Sequence, residues 1–272
     1  MYEFRDMCGV DDDTVARVCT RGFSDYFMPA SFSAESVALW RRRASVKREF
    51  SALAYHADEP VGALITGAAD YRGEYSAFGV AGAVSPEHRR RGVFTGMFEA
   101  VRATLLQAGV GLYTLEALRV NTDAIRLYER LGFNVLRGYS MFAGKPVFAD
   151  EREICDVPLD KFDMAHTAGM HVPAPSFECC TACVSACPEL YRVAYDSKLC
   201  AFALYDPKNG DVHQLGYAHE PADILPVLAH IAARCPRLCV WNLDTSETEL
   251  IATLKASGLS GCAEQWEMGR RL

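Results

Sequence analysis

The sequence predicts a mixed α/β fold, an α+β mixed sheet with helices packed on it, and it predicts this fold twice. Apolar runs of strand length alternate with amphipathic runs of helix length along the 272 residues. Clusters of Gly, Pro, Asn and Asp separate these runs, as turns do. After an irregular stretch at residues 144–173, the same order of elements starts again. We therefore expect two units, at residues 1–145 and 146–272.

The first half has the predicted order β-α-α-β-β-β-α-β-α-β. The run Asp11-Asp12-Asp13-Thr14 supplies the N-cap and the first-turn acids of the first helix, and Ser33 is the candidate N-cap of the second, because side-chain oxygens at an N-cap accept backbone N–H groups. Gly132 ends the last helix of this half, since a glycine after a helix readily takes the left-handed conformation. The predicted strands cover residues 2–7, 51–56, 61–69, 75–84, 111–117 and 133–142, and the predicted helices cover residues 11–23, 33–43, 93–107 and 121–131.

The second half repeats the order α-β-β-β-α-β-α-β with strongly diverged residues. Its run Asp-Pro-Lys-Asn-Gly at residues 206–210 predicts a hairpin turn. This repetition indicates a tandem duplication of one fold. The predicted helices cover residues 176–186, 221–234 and 246–257, and the predicted strands of the repeat cover residues 191–195, 200–205, 212–217, 238–243 and 261–268. One further strand is predicted near residues 153–157, in the irregular stretch before the repeat.

The composition excludes several classes of protein. A net charge of −7 and a pI near 5.5 argue against a nucleic-acid partner. The N-terminus lacks the basic and apolar regions of a signal peptide, and no apolar run approaches the ~20 residues of a membrane span. We expect a cytoplasmic protein with no membrane partner, and the composition leaves a homo-oligomer open. The odd count of 11 cysteines, without secretory context, predicts reduced thiols.

A basic loop joins the predicted strand 75–84 to the predicted helix 93–107. It contains Arg89, Arg90 and Arg91, followed by Gly92. At a helix start, backbone N–H groups lack partners and the helix dipole favours negative charge. The loop therefore predicts a site for a bound phosphate.

The loop also carries a family resemblance. Residues 84–92 read Val-x-Pro-x-x-Arg-Arg-x-Gly, which resembles motif A of the GNAT superfamily of acetyl-CoA-dependent N-acetyltransferases. Residues 121–133 read Asn-x-x-Ala-x-x-Leu-Tyr-Glu-x-Leu-Gly-Phe, which is similar to motif B of that superfamily. The resemblance implies a GNAT-like acetyltransferase domain over residues 1–145. It also implies a degenerate GNAT-like second domain, because residues 218–223 carry two acids and no Arg-x-x-Gly.

The resemblance implies a function and a site. The chain would move an acetyl group from acetyl-CoA to a primary amine, of a small molecule or a peptide amino terminus, by direct attack in a ternary complex. Backbone N–H groups at the end of the fourth strand would stabilise the tetrahedral intermediate, and Tyr128 would protonate the departing thiolate. The implied contacts of acetyl-CoA are Gly82, Ala83, Val84, Arg89, Arg90, Arg91, Gly92, Val93, Phe94, Thr95, Gly96 and Asn121.

Phe94 departs from the family pattern, which has a small residue at this position. A small residue lets the helix start lie close to the pyrophosphate. We expect binding to survive if the Phe94 ring points into the core, because only its N–H then faces the ligand. Gly96 adds backbone room nearby.

The general base has two interpretations. Leu115-Glu116-Ala117 is similar to the Leu-Glu-Val strand of the ribosomal-protein N-terminal acetyltransferases, in which the Glu twelve residues before the Tyr is the base. Glu116 has this spacing to Tyr128, and a carboxylate in an apolar strand would have a raised pKa suited to that role. Alternatively, Glu116 is a structural residue that bonds to a neighbouring loop.

Two further clusters have open interpretations. The loop aromatics Phe23, Tyr26 and Phe27 lie where the family binds its acceptor, or they belong to the core. Cysteines crowd residues 179–187: those at 180, 183 and 187 share one face of a helix, which predicts buried packing and no metal site. A metal or redox protein built on this cluster is the less favoured alternative. A coenzyme A-binding module without turnover is the other alternative to an acetyltransferase.

Overall fold

The computed structural model describes residues 1–27, 30–147 and 152–272. The chain forms two compact units, each built from separate segments. The first unit contains Met1–Glu116, Arg126–Asn134 and Met268–Leu272, and the second contains Ala117–Ile125 and Val135–Glu267. Within the described ranges, no helix is long and apolar enough to cross a membrane.

The first half of the chain follows the predicted order of elements. The side chain of Ser33 accepts the Ser36 N–H, which confirms the predicted N-cap. Within the run predicted to cap the first helix, Asp11 is the N-cap, and its side chain accepts the Thr14 N–H. Gly132 has a φ of 83°, as predicted for the residue after a helix. The elements are β1 (Tyr2–Asp6), α1 (Asp12–Gly22), α2 (Ala34–Arg43), β2 (Ala52–His56), β3 (Glu59–Tyr71), β4 (Glu74–Val84), α3 (Val93–Gln107), β5 (Leu112–Leu118), α4 (Thr122–Arg130) and β6 (Asn134–Ala143).

The sheet of the first unit opens between two of its strands. The strands β1, β2, β3 and β4 pair antiparallel in that order, and β5 lies parallel to β4. The pairing of β4 with β5 ends at Gly79 and Leu115. Next to Gly79, β4 carries a bulge, because Val80 is an extra residue between the partners of Ile65 and Thr66 on β3. The second half of β4 therefore continues along β3 with its other edge open.

Helices cover both faces of this sheet. Successive residues of a strand point to opposite faces. Ala83 packs with α1, where Gly22 approaches it so closely that an added Cβ would lie 2.7 Å from the Ala83 Cβ. Gly82 faces α3. The core between the sheet and the first two helices contains Val15, Val18, Cys19, Val37, Leu53, Ala63, Ile65, Ala81 and Ala83.

The second half of the chain forms a similar arrangement. The sheet of the second unit has the order β6-β11-β10-β9-β8-β7, in which only β10 and β11 are a parallel pair. Its core includes Leu228, Ile231 and Val240. The elements are β7 (Ile154–Pro158), α5 (Thr181–Ser185), β8 (Arg192–Asp196), β9 (Ala201–Asp206), β10 (Asp211–Tyr217), α6 (Leu225–Arg234), β11 (Cys239–Asp244), α7 (Thr248–Ala256) and β12 (Ser260–Arg271).

One sequence prediction is wrong in extent, and another stays a prediction. The predicted helix 176–186 is wrong in extent: Cys180 is extended, and it separates a 3₁₀ turn at Phe177–Cys179 from the short α5. The predicted boundary at residue 145 stays a prediction about domains. The compact units do not divide at this residue, because most of β6 belongs to the second unit and the end of β12 belongs to the first.

Candidate active site

The start of α3 forms an anion site from backbone groups. Gly92 is the N-cap residue, with φ 75° and ψ 8°, a left-handed conformation that suits glycine. The first bond inside the helix runs from the Gly96 N–H to the Gly92 carbonyl, at 2.9 Å. The N–H groups of Val93, Phe94 and Thr95 therefore have no acceptor within the helix. The first turn contains no acidic residue, so negative charge from the chain does not oppose a bound phosphate there.

The open edge of β4 leads directly to this helix start. The Ser85 N–H donates to the Val61 carbonyl of β3 at 2.9 Å. Backbone groups of a strand alternate between its two neighbours, so Gly82 and Val84 direct theirs away from β3. Gly82 is exposed. The N–H groups of both residues and the Gly82 carbonyl can bond to an extended ligand beside β4, while the Val84 carbonyl accepts the Nε of Arg89 at 3.0 Å.

Phe94 lies across the open part of β4. Its ring covers Gly82 so closely that a Cβ added to Gly82 would lie 2.5 Å from the Phe94 Cε2. The ring is half-buried, and it meets the Tyr128 ring edge to face, with the centroids 5.6 Å apart. The Phe94 side chain thus borders the candidate site instead of entering the buried core.

Tyr128 is held on α4 by aromatic neighbours. Besides Phe94, its ring contacts Phe133, with the centroids 5.9 Å apart. Burial of the hydroxyl raises the pKa of Tyr128 well above its ordinary value, and the nearby Tyr26 raises it further. Tyr128 therefore keeps its proton through the neutral range and can donate it.

The three arginines of the loop differ in their surroundings. Arg89 donates hydrogen bonds to Val84 of β4, to Gly22 of α1 and to Asp25, which follows α1. Arg90 has a φ of 60°, a left-handed conformation that is unusual for a residue with a Cβ atom. The side chains of Arg90 and Arg91 are exposed. The predicted role of all three as phosphate ligands stays a prediction.

The remaining predicted site residues occupy separate positions. Glu116 directly follows Leu115, where the pairing of β4 and β5 ends, and its Oε1 atom is shielded from solvent. Asn121 accepts the Ala124 N–H with its Oδ1 at 3.2 Å, so it caps α4. Gly96 lies against the ring of Phe4, a close approach that a Cβ atom would prevent. The predicted roles of these residues toward base catalysis and coenzyme A stay predictions.

The loop aromatics divide between the core and the site. Phe23 packs on the core of α1 and α2, and its ring meets the Tyr26 ring edge to face at 5.1 Å. Tyr26 in turn contacts Phe27, which is 58% exposed. The segment Phe23–Phe27 thus extends from the core to an exposed aromatic residue, and Tyr26 helps to raise the pKa of Tyr128.

The second unit repeats the strand geometry without the anion site. Its strands β9 and β10 contain a bulge next to Val212, and β10 and β11 pair in parallel only briefly. At the helix start after β10, however, Glu220 and Asp223 form a reciprocal capping box. Asp223 also binds Arg152, with a distance of 3.0 Å from Oδ1 to Nη1. Carboxylates thus occupy the helix start and would repel a phosphate.

The cysteine cluster of the second unit is buried. Cys180, Cys183 and Cys187 are at most 6% exposed, as predicted for packing residues. Cys179 lies beside His213, 34 residues away, with 3.2 Å between Sγ and Nδ1, a contact that the spacing of the cysteines did not indicate. Over the described ranges, the side chains of His, Cys, Asp and Glu form no group of three placed to hold a metal ion.

Comparisons with known proteins agree with this geometry. The model of the Acetyltransferase (GNAT) family matches residues 19–133. A putative acetyltransferase from Pyrococcus horikoshii is similar in structure, with a TM-score of 0.69 and 16% identity over 100% of this chain and 89% of that one. A GCN5-related N-acetyltransferase from Sphaerobacter thermophilus has a TM-score of 0.67 and 16% identity, over 99% of this chain and 95% of that one.

A third similar structure has two units of this kind. It is a tandem GNAT protein from the clavulanic acid biosynthesis pathway, with a TM-score of 0.62 and 11% identity. The similarity covers 100% of this chain and 98% of that one. No curated protein matches the sequence. At these identities the structures establish the fold, and the family model establishes the kinship of residues 19–133.

Proposed function

We propose that this chain, whose residues 19–133 match the model of the GNAT family of acetyltransferases and whose fold is similar to that of a tandem GNAT protein, moves an acetyl group from acetyl-CoA to a primary amine. The amine belongs to a small molecule or to a peptide amino terminus. Residues 1–145 carry the reaction in this proposal. Residues 146–272 are a degenerate domain without a site for the donor, because Glu220 and Asp223 cap the relevant helix start.

One observation carries the proposal. The open edge of β4 leads into the start of α3, which has no side-chain cap, and Tyr128 lies beside it with a protonated hydroxyl. The N–H groups of Val93, Phe94 and Thr95 suit the pyrophosphate of coenzyme A, and Arg90 and Arg91 add positive charge. The edge of β4 suits an extended pantetheine arm, because the N–H groups of Gly82 and Val84 and the Gly82 carbonyl point away from β3. Acetyl-CoA supplies the acetyl group as a thioester.

The chemistry assigned to the chain needs three kinds of group. Backbone N–H groups at the bulge of β4 stabilise the negative charge that develops on the carbonyl oxygen. Tyr128 donates its proton to the departing thiolate, since its raised pKa keeps the hydroxyl protonated. Glu116 takes the proton of the amine, directly or through a water, from its place where β5 separates from β4.

The test is release of free thiol from acetyl-CoA in the presence of a panel of amines and peptides. The native chain is expected to acetylate at least one class, identified by its mass shift, and Glu116→Gln and Tyr128→Phe are expected to lower the rate. Calorimetric titration with coenzyme A measures donor binding separately.

Binding of coenzyme A without transfer to any amine would instead favour a coenzyme A-binding module. Phe94, whose ring lies over the open part of β4, is the feature that favours this second candidate. Absence of both binding and transfer would contradict both candidates.

A further inference from the structure

Most hydrogen-bond donors of Arg89 bind the protein itself. Its Nε donates to the Val84 carbonyl at 3.0 Å, and its Nη2 donates to the Gly22 carbonyl at 2.8 Å. Both terminal nitrogens bind the Asp25 carboxylate, at 2.8 and 2.7 Å. A guanidinium has five N–H groups, and these contacts engage four of them. Arg89 therefore has little left to offer a phosphate.

These contacts connect the basic loop before α3, called the donor loop from here because the proposed acetyl donor binds there, to the segment that follows α1. Val84 ends β4, Gly22 ends α1, and Asp25 lies between Phe23 and Phe27. A second ion pair, from Arg21 at the end of α1 to Glu87 in the donor loop, joins the same two regions. Arg21 also binds Glu59 at 2.5 Å. The end of α1 is thus fixed to the donor loop at two points.

The segment that Asp25 anchors carries Tyr26, which helps to raise the pKa of the Tyr128 hydroxyl. We propose that Arg89 is a positioning residue for the acceptor side of the site. Through its bidentate pair with Asp25 and its bond to the Gly22 carbonyl, it holds the segment Phe23–Phe27 beside the end of β4. This inference rests on the proposed function. The placement of residues 23–27 can nevertheless be measured without any assay of acetyl transfer.

The bidentate geometry gives this contact more weight than an ordinary surface ion pair. Isolated exposed pairs contribute little, whereas a two-bonded guanidinium–carboxylate pair fixes the orientation of both partners. The Arg89 and Asp25 side chains are 39% and 55% exposed, so solvent weakens their attraction. The bonds from the guanidinium to the Val84 and Gly22 carbonyls add charge-assisted hydrogen bonds, which fix the Arg89 side chain further.

The test compares Asp25→Asn, Arg89→Gln and Arg91→Gln in the full chain. We expect Asp25→Asn and Arg89→Gln to raise the hydrogen-exchange rate of residues 23–27 by about tenfold, because local opening becomes easier. In ¹³C-tyrosine spectra, both variants should shift the Tyr26 and Tyr128 resonances, which single Tyr→Phe changes assign. Their dissociation constants for coenzyme A should stay within about threefold of the native value, whereas Arg91→Gln should weaken binding by about tenfold.

The double variant Asp25→Asn/Arg89→Gln should exchange no faster than either single variant, because the pair acts as a unit. The proposal is overturned if Arg89→Gln weakens coenzyme A binding as Arg91→Gln does and leaves the exchange of residues 23–27 unchanged. Unprotected exchange of that segment in the native chain would overturn it as well. Failure of the native chain to bind coenzyme A would count against the proposed function, while the exchange rates would still decide the role of Arg89.

Discussion

The rings of Phe94 and Tyr128 meet edge to face, with their centroids 5.6 Å apart. This contact explains how a large residue can stand where the GNAT pattern has a small one. Phe94 turns its ring onto Gly82 and Tyr128, and its N–H remains among the free donors of the first turn of α3. The same ring supports Tyr128, so the departure from the pattern joins the start of α3 to the residue proposed as the proton donor.

Replacement of Tyr128 by Phe is expected to reduce kcat by about 10²- to 10⁴-fold, the usual range for loss of a general acid. The ring contacts with Phe94 and Phe133 remain, so the free energy of unfolding should change by less than about 1 kcal/mol. Thiol release and urea unfolding measure the two effects. Tyr75→Phe, on an exposed part of β4, is the matched control and should leave both unchanged. An active Tyr128→Phe enzyme would remove this residue from the mechanism.

The pH dependence of kcat should show no loss of the Tyr128 proton below about pH 10, the ordinary pKa of tyrosine. Burial and Tyr26 raise the folded pKa, so the protonated acid persists to higher pH than in the unfolded chain. The corresponding contribution to stability is complete below the unfolded pKa and is lost as the pH rises through the folded one. Tyr26→Phe removes one cause of the raised pKa. In this variant, the fall of kcat at alkaline pH should therefore begin at lower pH than in the native chain. A limb that moves to higher pH would contradict this assignment.

Local features of the fold were predictable from the sequence. The N-caps at Asp11 and Ser33 and the left-handed Gly132 depend on residues within one turn of a helix. The basic loop before α3 was predictable for the same reason, because its arginines and Gly92 are neighbours in the sequence. Apolar periodicity likewise predicted the strands from Ala52–His56 to Glu74–Val84.

Features that depend on distant residues were not predictable. The contact of Arg89 with Asp25 joins residues 64 positions apart, and the spacing of arginines alone suggested a phosphate ligand. The opening of the sheet after Gly79 depends on the register of β4 against both neighbours. The predicted helix 176–186 divides at Cys180, whose extended backbone the side-chain pattern does not reveal.

Arg90 offers a test of strain in the donor loop. Its φ of 60° is costly for a residue with a Cβ atom, whereas glycine adopts it freely. We expect Arg90→Gly to be more stable than Arg90→Ala by about 1 kcal/mol in urea unfolding. Both variants lose the cation and any contact of the side chain, so their affinities for coenzyme A should fall equally. Equal stabilities of the two variants would show that the loop relaxes away from the left-handed conformation.

The close approach of Phe94 to Gly82 predicts a coupled pair of substitutions. In Gly82→Ala, the new Cβ would lie 2.5 Å from the Phe94 Cε2, so the ring must move. We expect a loss of about 1–3 kcal/mol in the free energy of unfolding, as overpacking usually costs. Gly261→Ala is the matched control on a strand, because its Cβ would come no closer than 4.0 Å to Phe142.

In a Phe94→Ala background, the same change at Gly82 should cost less than about 0.5 kcal/mol, because the obstructing ring is gone. The Gly82→Ala change alone should also lower kcat, since the displaced Phe94 ring can no longer support Tyr128 in its place. Urea unfolding of the four chains gives the coupling energy, and thiol release gives the rates. Additive losses of stability in the double variant would mean that the Phe94 ring does not lie on Gly82 in solution. Phe94 would then not connect Gly82 of β4 to Tyr128.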